Sequence, residues 1–145
     1  MFASPFAQRH RQPSGSLYQQ VGVETRLSGA TPHQMVAMLF DGYMEALAQA
    51  RGAMRAQQLG AKGVAIGRAV RIVEEGLRAG LDLRSGGSLA HDLDELYSYL
   101  TMRLTLANLR NDAAALEECQ RLMRPLHEAW LAIADEADAA PMPRR

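Results

Sequence analysis

Histidines and acidic residues are the side chains of this sequence that could carry acid–base or metal chemistry. The chain has four histidines and sixteen Asp and Glu residues. A di-metal site in a helical bundle needs Glu-x-x-His on two helices and inward-facing acids on the other two. No glutamate here is followed by histidine three residues later. Several acids fall opposite the apolar positions of their helices, as solvated residues do: Asp92, Asp94, Glu95, Glu117 and Glu118. We therefore expect no enzyme activity, no metal and no cofactor.

Two histidines leave one alternative open, a histidine phosphotransfer domain built on a four-helix bundle. His91 or His127 would then carry the phosphoryl group. That chemistry needs an exposed histidine in mid-helix with a cation nearby. Arg124 lies three residues before His127, but Pro125 between them bends or starts a helix. His91 falls in a first helical turn, where ordinary solvent exposure explains it.

Composition and charge exclude several other classes. Sixteen Lys and Arg residues balance sixteen Asp and Glu residues, whereas nucleic acids and anionic membranes select clustered positive charge. No run approaches the roughly 20 apolar residues of a membrane span, and the N-terminus has no continuous apolar segment of a secretory signal. Cys119 is the one cysteine, so there is no internal disulfide or Cys-based zinc cluster. The sequence predicts a soluble, cytoplasmic protein without nucleic-acid partners or membrane insertion.

The 145 residues are enough for one domain. Residues 1–16 combine proline, serine and glycine with polar residues and predict a flexible N-terminal lead. Residues 137–145 predict a flexible tail. The domain is therefore expected to occupy residues 17–136.

Four segments between these ends show helical periodicity, with recognisable starts and stops. Thr31 can cap the first helix, and Pro32 suits its first position because proline has no N–H to leave unpaired. This helix is expected to end at Gly60, which can adopt a left-handed conformation. The second is expected to run from about Lys62 to Asp82.

Ser88 is expected to cap the third helix, and Asp112 the fourth after a break at Asn111. Apolar residues recur at alternating spacings of four and three along all four helices. These seams, in chain order, are Met35, Met38, Leu39, Gly42, Ala46, Ala50 and Ala53; Ile66, Val70, Val73, Leu77 and Leu81; Leu89, Leu93, Leu96, Leu100, Leu104 and Ala107; and Ala115, Cys119, Leu122, Leu126, Trp130 and Ile133. Because short loops force neighbours to run antiparallel, the sequence predicts an all-α, antiparallel up-down four-helix bundle. A short extra N-terminal helix fits at Leu17–Leu27.

Three of the helices carry more apolar residues than one core seam requires. The additional residues are Val36, Phe40, Tyr43, Met44, Leu47 and Met54 on the first helix, Val64, Ile72 and Leu83 on the second, and Tyr97, Tyr99, Met102, Leu106 and Leu109 on the third. A fifth helix or a broad core could cover them. Taken together they favour a partner surface, and eight methionines suit adaptable contacts. The expected mode is helix-in-groove binding of an amphipathic partner.

Asp41-Gly42 and Asn108 are the local features with a claim beyond packing. A glycine inside a helix costs about 0.5–1 kcal/mol relative to alanine, which suggests close approach of a neighbouring helix, with the Asp41 carboxylate bonding to that neighbour or to a cap. Asn108 lies near the end of the third helix and could bond free carbonyl groups there. Both interpretations are structural.

At these residues the sequence resembles the flagellar secretion chaperone family FliS. The likeness runs from Leu17 to Ile133 and rests on short motifs in the family's order. They are Leu17-Tyr18…Val21…Val23-Glu24, Ala30-Thr31-Pro32-His33-Gln34, Met38-Leu39-Phe40-Asp41-Gly42, Lys62-Gly63, Gly76-Leu77…Gly80-Leu81-Asp82, Gly86-Gly87, Leu93…Glu95-Leu96-Tyr97…Tyr99, Ala107-Asn108-Leu109-Arg110-Asn111-Asp112 and Trp130. Each motif is weak alone, but together at this spacing they are specific.

The resemblance implies a cytosolic export chaperone that binds the C-terminal helical region of flagellin, prevents premature polymerisation and aids delivery to the flagellar type III export apparatus. It also implies contact with an export gate component or a co-chaperone, and an N-terminal segment with Tyr18 that lies over the binding groove until flagellin displaces it. Pattern and resemblance together give the expected partner-binding residues Tyr18, Val21, Ile72, Leu96, Tyr97, Leu100, Met102, Leu104 and Asn108. The expected structural residues are Thr31, Pro32, Asp41, Gly42 and Trp130.

Overall fold

The structure, a computed structural model, describes residues 29–139, with side chains up to residue 133. Within that range the chain forms helices and no strand, which confirms the predicted all-α bundle. We name the helices α1 (Pro32–Arg55), α2 (Leu59–Arg71, continued by a π-helix at Ile72–Arg78), α3 (Gly87–Arg110) and α4 (Ala113–Ala139). The lead predicted at 1–16, the short helix predicted at Leu17–Leu27 and residues 140–145 of the predicted tail lie outside the described residues.

Hydrogen bonds and ion pairs between the helices show which elements run in opposite directions. In an antiparallel pair, the residue numbers in contact rise along one helix and fall along its neighbour. Between α1 and α4, His33 contacts Trp130 and Arg51 contacts Glu117. Between α2 and α3, Lys62 contacts Asn108 and Arg78 contacts Asp94. The core lies between all four helices. Its largest fully buried side chains are Tyr43, Leu47, Ile66, Ile72, Leu100, Leu104, Leu116 and Met123.

The start of α1 forms as the sequence predicts. The Thr31 hydroxyl accepts a hydrogen bond from the Gln34 backbone N–H at 3.1 Å, and the Gln34 side chain accepts one from the Thr31 N–H at 2.9 Å. This reciprocal pair is a capping box, with Pro32 in the first helical turn. It fixes where α1 begins, and therefore which of its residues face the end of the bundle.

The end of α1 differs from the prediction at Gly60. The helix ends at Arg55, Gln57 adopts the left-handed conformation with φ of 59°, and Gly60 lies in the first turn of α2. The Gln58 N–H bonds to the Ala53 carbonyl at 2.9 Å and the Gln57 N–H to the Met54 carbonyl at 3.1 Å. This is a Schellman motif. Its hydrogen bonds place the left-handed conformation at Gln57, three residues before Gly60.

The second helix also differs, because it begins at Leu59 and its last seven residues, Ile72–Arg78, are π-helical. The Ala79 N–H bonds to the Glu74 carbonyl five residues earlier, at 3.2 Å. A π-turn is wider than an α-turn and shifts the register of the residues that follow. Ile72 and Val73 are both fully buried. Ile72 was predicted on a surplus surface and instead belongs to the core.

The third helix begins at Gly87, so the prediction of Ser88 as its cap is wrong: Ser88 lies inside the first turn, and the cap residue Gly86 provides no side-chain hydrogen bond. A Cβ at residue 86 would lie 2.5 Å from the Asp82 carbonyl oxygen, so this turn requires glycine. The Asp82 carboxylate accepts hydrogen bonds from the N–H groups of Arg84 and Ser85, at 3.1 Å each. The Ser85 hydroxyl also donates to this carboxylate, and this bond, with the two backbone bonds, lowers the pKa of Asp82.

The left-handed Gln57 leads to a stability prediction. A side chain in this conformation is strained by roughly 1 kcal/mol, whereas glycine adopts it without that strain. We expect Gln57→Gly to raise the free energy of unfolding by about 0.5–1 kcal/mol, measured by urea denaturation. Gln57→Ala keeps the Cβ and should give no such gain. Equal stabilisation by both substitutions would contradict the strain at this residue.

Candidate functional site

One end of the bundle contains an apolar groove. The first turns of α1 and α3, the π-helical end of α2 and the last described turns of α4 all meet there. The groove has a volume of about 360 Å³, and its lining contains no charged residue. Its lining residues are Val36, Phe40, Gly76, Leu77, Gly80, Leu81, Leu89, Leu93, Tyr97, Leu126, Ala129, Trp130 and Ile133. We call this surface the groove.

The groove has a buried floor and an exposed rim. Phe40, Leu77 and Tyr97 are at most 7% exposed and form the floor, whereas Leu89 is 66% and Ile133 47% exposed at the rim. Burial raises the pKa of Tyr97 to about 12, so its hydroxyl stays neutral at physiological pH. A firm apolar floor beneath open apolar edges suits the insertion of side chains from another helix.

Aromatic rings join α4 to α1 beside the groove. The Trp130 indole N–H donates to the His33 carbonyl at 2.9 Å, and its ring stacks on His33 with a centroid distance of 5.1 Å. The Phe40 ring lies 6.4 Å from Trp130 and 5.8 Å from the His127 ring. These contacts hold two lining residues, Phe40 and Trp130, in fixed positions.

The carboxylate of Asp41 reaches from α1 to α4, where its Oδ1 lies 2.8 Å from Nε2 of His127. The next residue, Gly42, is buried. Only 16% of the His127 side chain is exposed. The pair therefore occupies one ring nitrogen of His127, and the ring lacks the exposure that phosphotransfer would need.

The residues predicted to bind a partner do not form one surface. Tyr97 lies in the groove, and Leu96 is half-buried against the core. Leu100 and Leu104, like Ile72, have no exposed surface, because the helices close over them. These three side chains cannot be reached from solvent in this structure. Tyr18 and Val21 lie outside the described residues.

Asn108 and Met102 are exposed but lie away from the groove. The backbone carbonyl of Asn108 accepts a hydrogen bond from the Lys62 ammonium at 2.9 Å, and the Asn111 side chain accepts a second at 3.1 Å. Lys62 is only 5% exposed. It joins the start of α2 to the carbonyl end of α3, where a positive charge is favourable.

The groove contains residues that the sequence pattern assigned to core seams. Leu77 and Leu81, Leu89 and Leu93, and Leu126, Trp130 and Ile133 all continue those seams toward one end of the bundle. The apolar seams continue past the level at which the four helices pack against one another, and the seam residues beyond that level line the groove. Their spacing is the same as that of the buried residues on these seams, so periodicity alone could not separate the two sets.

A second exposed apolar surface lies on α3. It consists of Tyr99, Met102, Leu106 and Leu109, of which Leu109 is 77% and Met102 46% exposed. We call it the outer face of α3. At its α4 edge the Glu118 carboxylate accepts hydrogen bonds from the Tyr99 hydroxyl at 2.6 Å and Arg103 Nε at 2.7 Å. The two bonds lower the pKa of Glu118.

Among the described residues, no group of three or more His, Cys, Asp or Glu side chains is placed to hold a metal ion. Cys119 is buried, as predicted for a small apolar side chain. None of the helices described in residues 29–139 has the length and apolar character of a membrane-spanning segment.

Comparison with known proteins points to one family. The family model described as flagellar protein FliS matches residues 14–137. The chain is 47% identical over 120 residues to the flagellar secretion chaperone FliS of Salmonella typhimurium, covering 83% of this chain and 89% of that protein. It is 45% identical over 113 residues to the flagellar secretion chaperone FliSB of Pseudomonas aeruginosa, covering 78% of this chain and 89% of that protein.

The flagellar secretion chaperone FliS of Escherichia coli is also 45% identical over 113 residues, covering 78% of this chain and 83% of its own length. Both the family match and these identities extend over most of the chain. The protein therefore belongs to the FliS family, a family of flagellar secretion chaperones rather than of enzymes.

Proposed function

We propose that this protein is a cytoplasmic export chaperone that binds the C-terminal helical region of flagellin. In this role it prevents premature polymerisation of flagellin and aids its delivery to the flagellar type III export apparatus. The observation that carries the proposal is the groove, an apolar cleft without charged lining at one end of the bundle. Membership of a family of flagellar secretion chaperones supports a flagellar export substrate as the client.

The shape of the groove supports an amphipathic helix as the bound form. Side chains at positions i, i+3 or i+4 and i+7 of such a helix lie on one face. They could insert between the rim residues Leu89 and Ile133 and contact the floor at Phe40 and Tyr97. Apolar burial drives this contact at about 25 cal/mol per Å². The polar face of the client helix would remain in water.

The mechanism is thermodynamic rather than chemical. A flagellin segment held in the groove keeps its apolar face away from other flagellin molecules, so the concentration of polymerising ends falls. Ordering a disordered segment offsets part of the binding free energy, about 2–5 kcal/mol or more for coupled folding. This cost keeps the complex reversible, so that an export gate component or a co-chaperone can accept or displace the client.

Substitutions at the rim test the position of the binding site. We expect Leu89→Glu and Ile133→Glu each to weaken binding of a flagellin C-terminal peptide at least about tenfold, a loss of about 1.4 kcal/mol. A carboxylate placed there would lose hydration or hold the client away from the floor. Isothermal titration calorimetry measures the effect. Both residues are exposed, so the bundle should remain folded.

Val64→Glu is the matched control, because Val64 is 74% exposed on the first half of α2, away from the groove lining. It should bind the peptide as the unmodified protein does. Normal binding by both rim variants, with unchanged circular dichroism, would contradict the groove as the binding site.

Truncation of the client tests its identity. The full chain should co-purify with full-length flagellin and should lose it when the C-terminal helical segment of flagellin is deleted. The reason is that the groove is expected to contact that segment alone. A flagellin lacking an equal length of its N-terminal segment serves as the control. Equal recovery of both truncated flagellins would overturn the proposed client segment.

A further inference from the structure

The side of the groove formed by α2 differs from the other sides, because two of its four lining residues are glycines. The end of α2 and the turn after it contribute Gly76, Leu77, Gly80 and Leu81 to the lining. Gly76 is half-buried and Gly80 is exposed one turn later. On this side, therefore, the groove has two positions at which no side chain covers the backbone, each followed by a leucine.

The other three helices contribute mostly large side chains to the groove. These include Phe40 from α1, Leu89 and Tyr97 from α3, and Trp130 from α4. Helices α2 and α4 each pack on α1 and α3, so they lie across the bundle from each other. The groove is thus bounded by leucine and aromatic side chains on three sides and is deepest in side-chain terms against α2.

The backbone conformation does not require glycine at either position. Among the described residues, the glycines with a positive φ are Gly29 and Gly87. Gly76 and Gly80 therefore have φ values that alanine also adopts. Alanine is also the better helix former at an interior helical position such as that of Gly76. What the two glycines share is the missing side chain in the groove lining.

We propose that Gly76 and Gly80 form a hole that receives one large apolar side chain of the client helix between Leu77 and Leu81. The inference rests on the function proposed above, because it places the client in the same groove. In knob-into-hole packing, a side chain of one helix inserts among four residues of the facing helix. The two leucines hold the client backbone at side-chain distance, so the space over the glycines suits an inserted side chain.

The lining of the groove has no charged residue, so the inserted side chain is expected to be apolar. A buried leucine, isoleucine, methionine or phenylalanine each gains free energy in proportion to the apolar area removed from water. The hole would therefore select a client helix that carries one of these residues at one particular position. A client with alanine there would leave the hole empty and bind more weakly.

A bump-and-hole experiment tests this proposal with the full-length chain and a flagellin C-terminal peptide. We expect Gly76→Ala to weaken peptide binding about tenfold in isothermal titration calorimetry, because its methyl group occupies part of the hole. Gly67→Ala is the matched control, since Gly67 is an exposed α2 residue outside the groove lining, with no atom within 4 Å of an added Cβ. It should bind the peptide normally. Gly80→Ala repeats the test at the second glycine, and circular dichroism checks that each variant is folded.

Peptides with each large apolar residue replaced by alanine in turn identify the inserted side chain. At one peptide position, the replacement should weaken binding to the unmodified chain but not to Gly76→Ala, so that the two losses fall short of additivity at least about fivefold. Unchanged affinity of folded Gly76→Ala and Gly80→Ala would overturn the hole, as would additive losses at every peptide position. If Leu89→Glu weakens binding while both glycine variants bind normally, the hole is wrong and the groove stands. Normal binding by Leu89→Glu and Ile133→Glu would instead overturn the groove itself.

Discussion

The contact between α1 and α4 is the constraint on which the groove depends. Tyr43 is fully buried at its centre, and its hydroxyl donates to the Cys119 carbonyl at 3.2 Å. Burial raises the pKa of Tyr43 far above its ordinary value, so this donor is always protonated. A hydroxyl buried without an acceptor would cost about 1–3 kcal/mol, so the bond helps to fix one register of α1 against α4.

That register determines the wall of the groove. One turn before Tyr43, Phe40 contacts the rings of His127 and Trp130, and farther along the same contact Trp130 bonds to the His33 carbonyl. The capping box at Thr31 begins α1 at this end of the bundle. The core, the aromatic contacts and the helix start therefore act together. They place a wall of apolar rings where the four helices no longer close on one another.

Much of this arrangement could be predicted from the sequence, because local signals specify it. Thr31-Pro32 and Asp112 behave as caps, and the seam periodicity gives the bundle and most of its core. The left-handed Gln57 could not be predicted, since its conformation follows from hydrogen bonds to Ala53 and Met54 rather than from its residue type. The π-helical segment at Ile72–Arg78 could not be predicted either, because its hydrogen bonds over five residues have no signature in residue type or spacing.

The groove itself was predicted only in part for a related reason. Periodicity shows which residues face inward, but not how far along each helix the neighbours remain in contact. Tyr97 was assigned to a partner surface and lies in the groove, whereas Leu89, Leu126 and Ile133 were assigned to the core and line the groove as well. Leu100 and Leu104 follow Tyr97 along α3, on the core seam, and are fully buried. The change from core to groove therefore occurs along α3 at about Tyr97.

Helix α3 carries both apolar surfaces, and their physical character differs. Tyr97 faces the concave groove, where a partner helix can be enclosed, whereas Tyr99 and Leu109 lie on a convex face that can contact only one side of a partner. Coupling between two sites requires an element with two arrangements that both sites favour differently. Between these surfaces lie Leu100 and Leu104, fully buried in a close-packed core. Because this packing holds α3 in place, substitutions on the outer face should leave the shape of the groove unchanged.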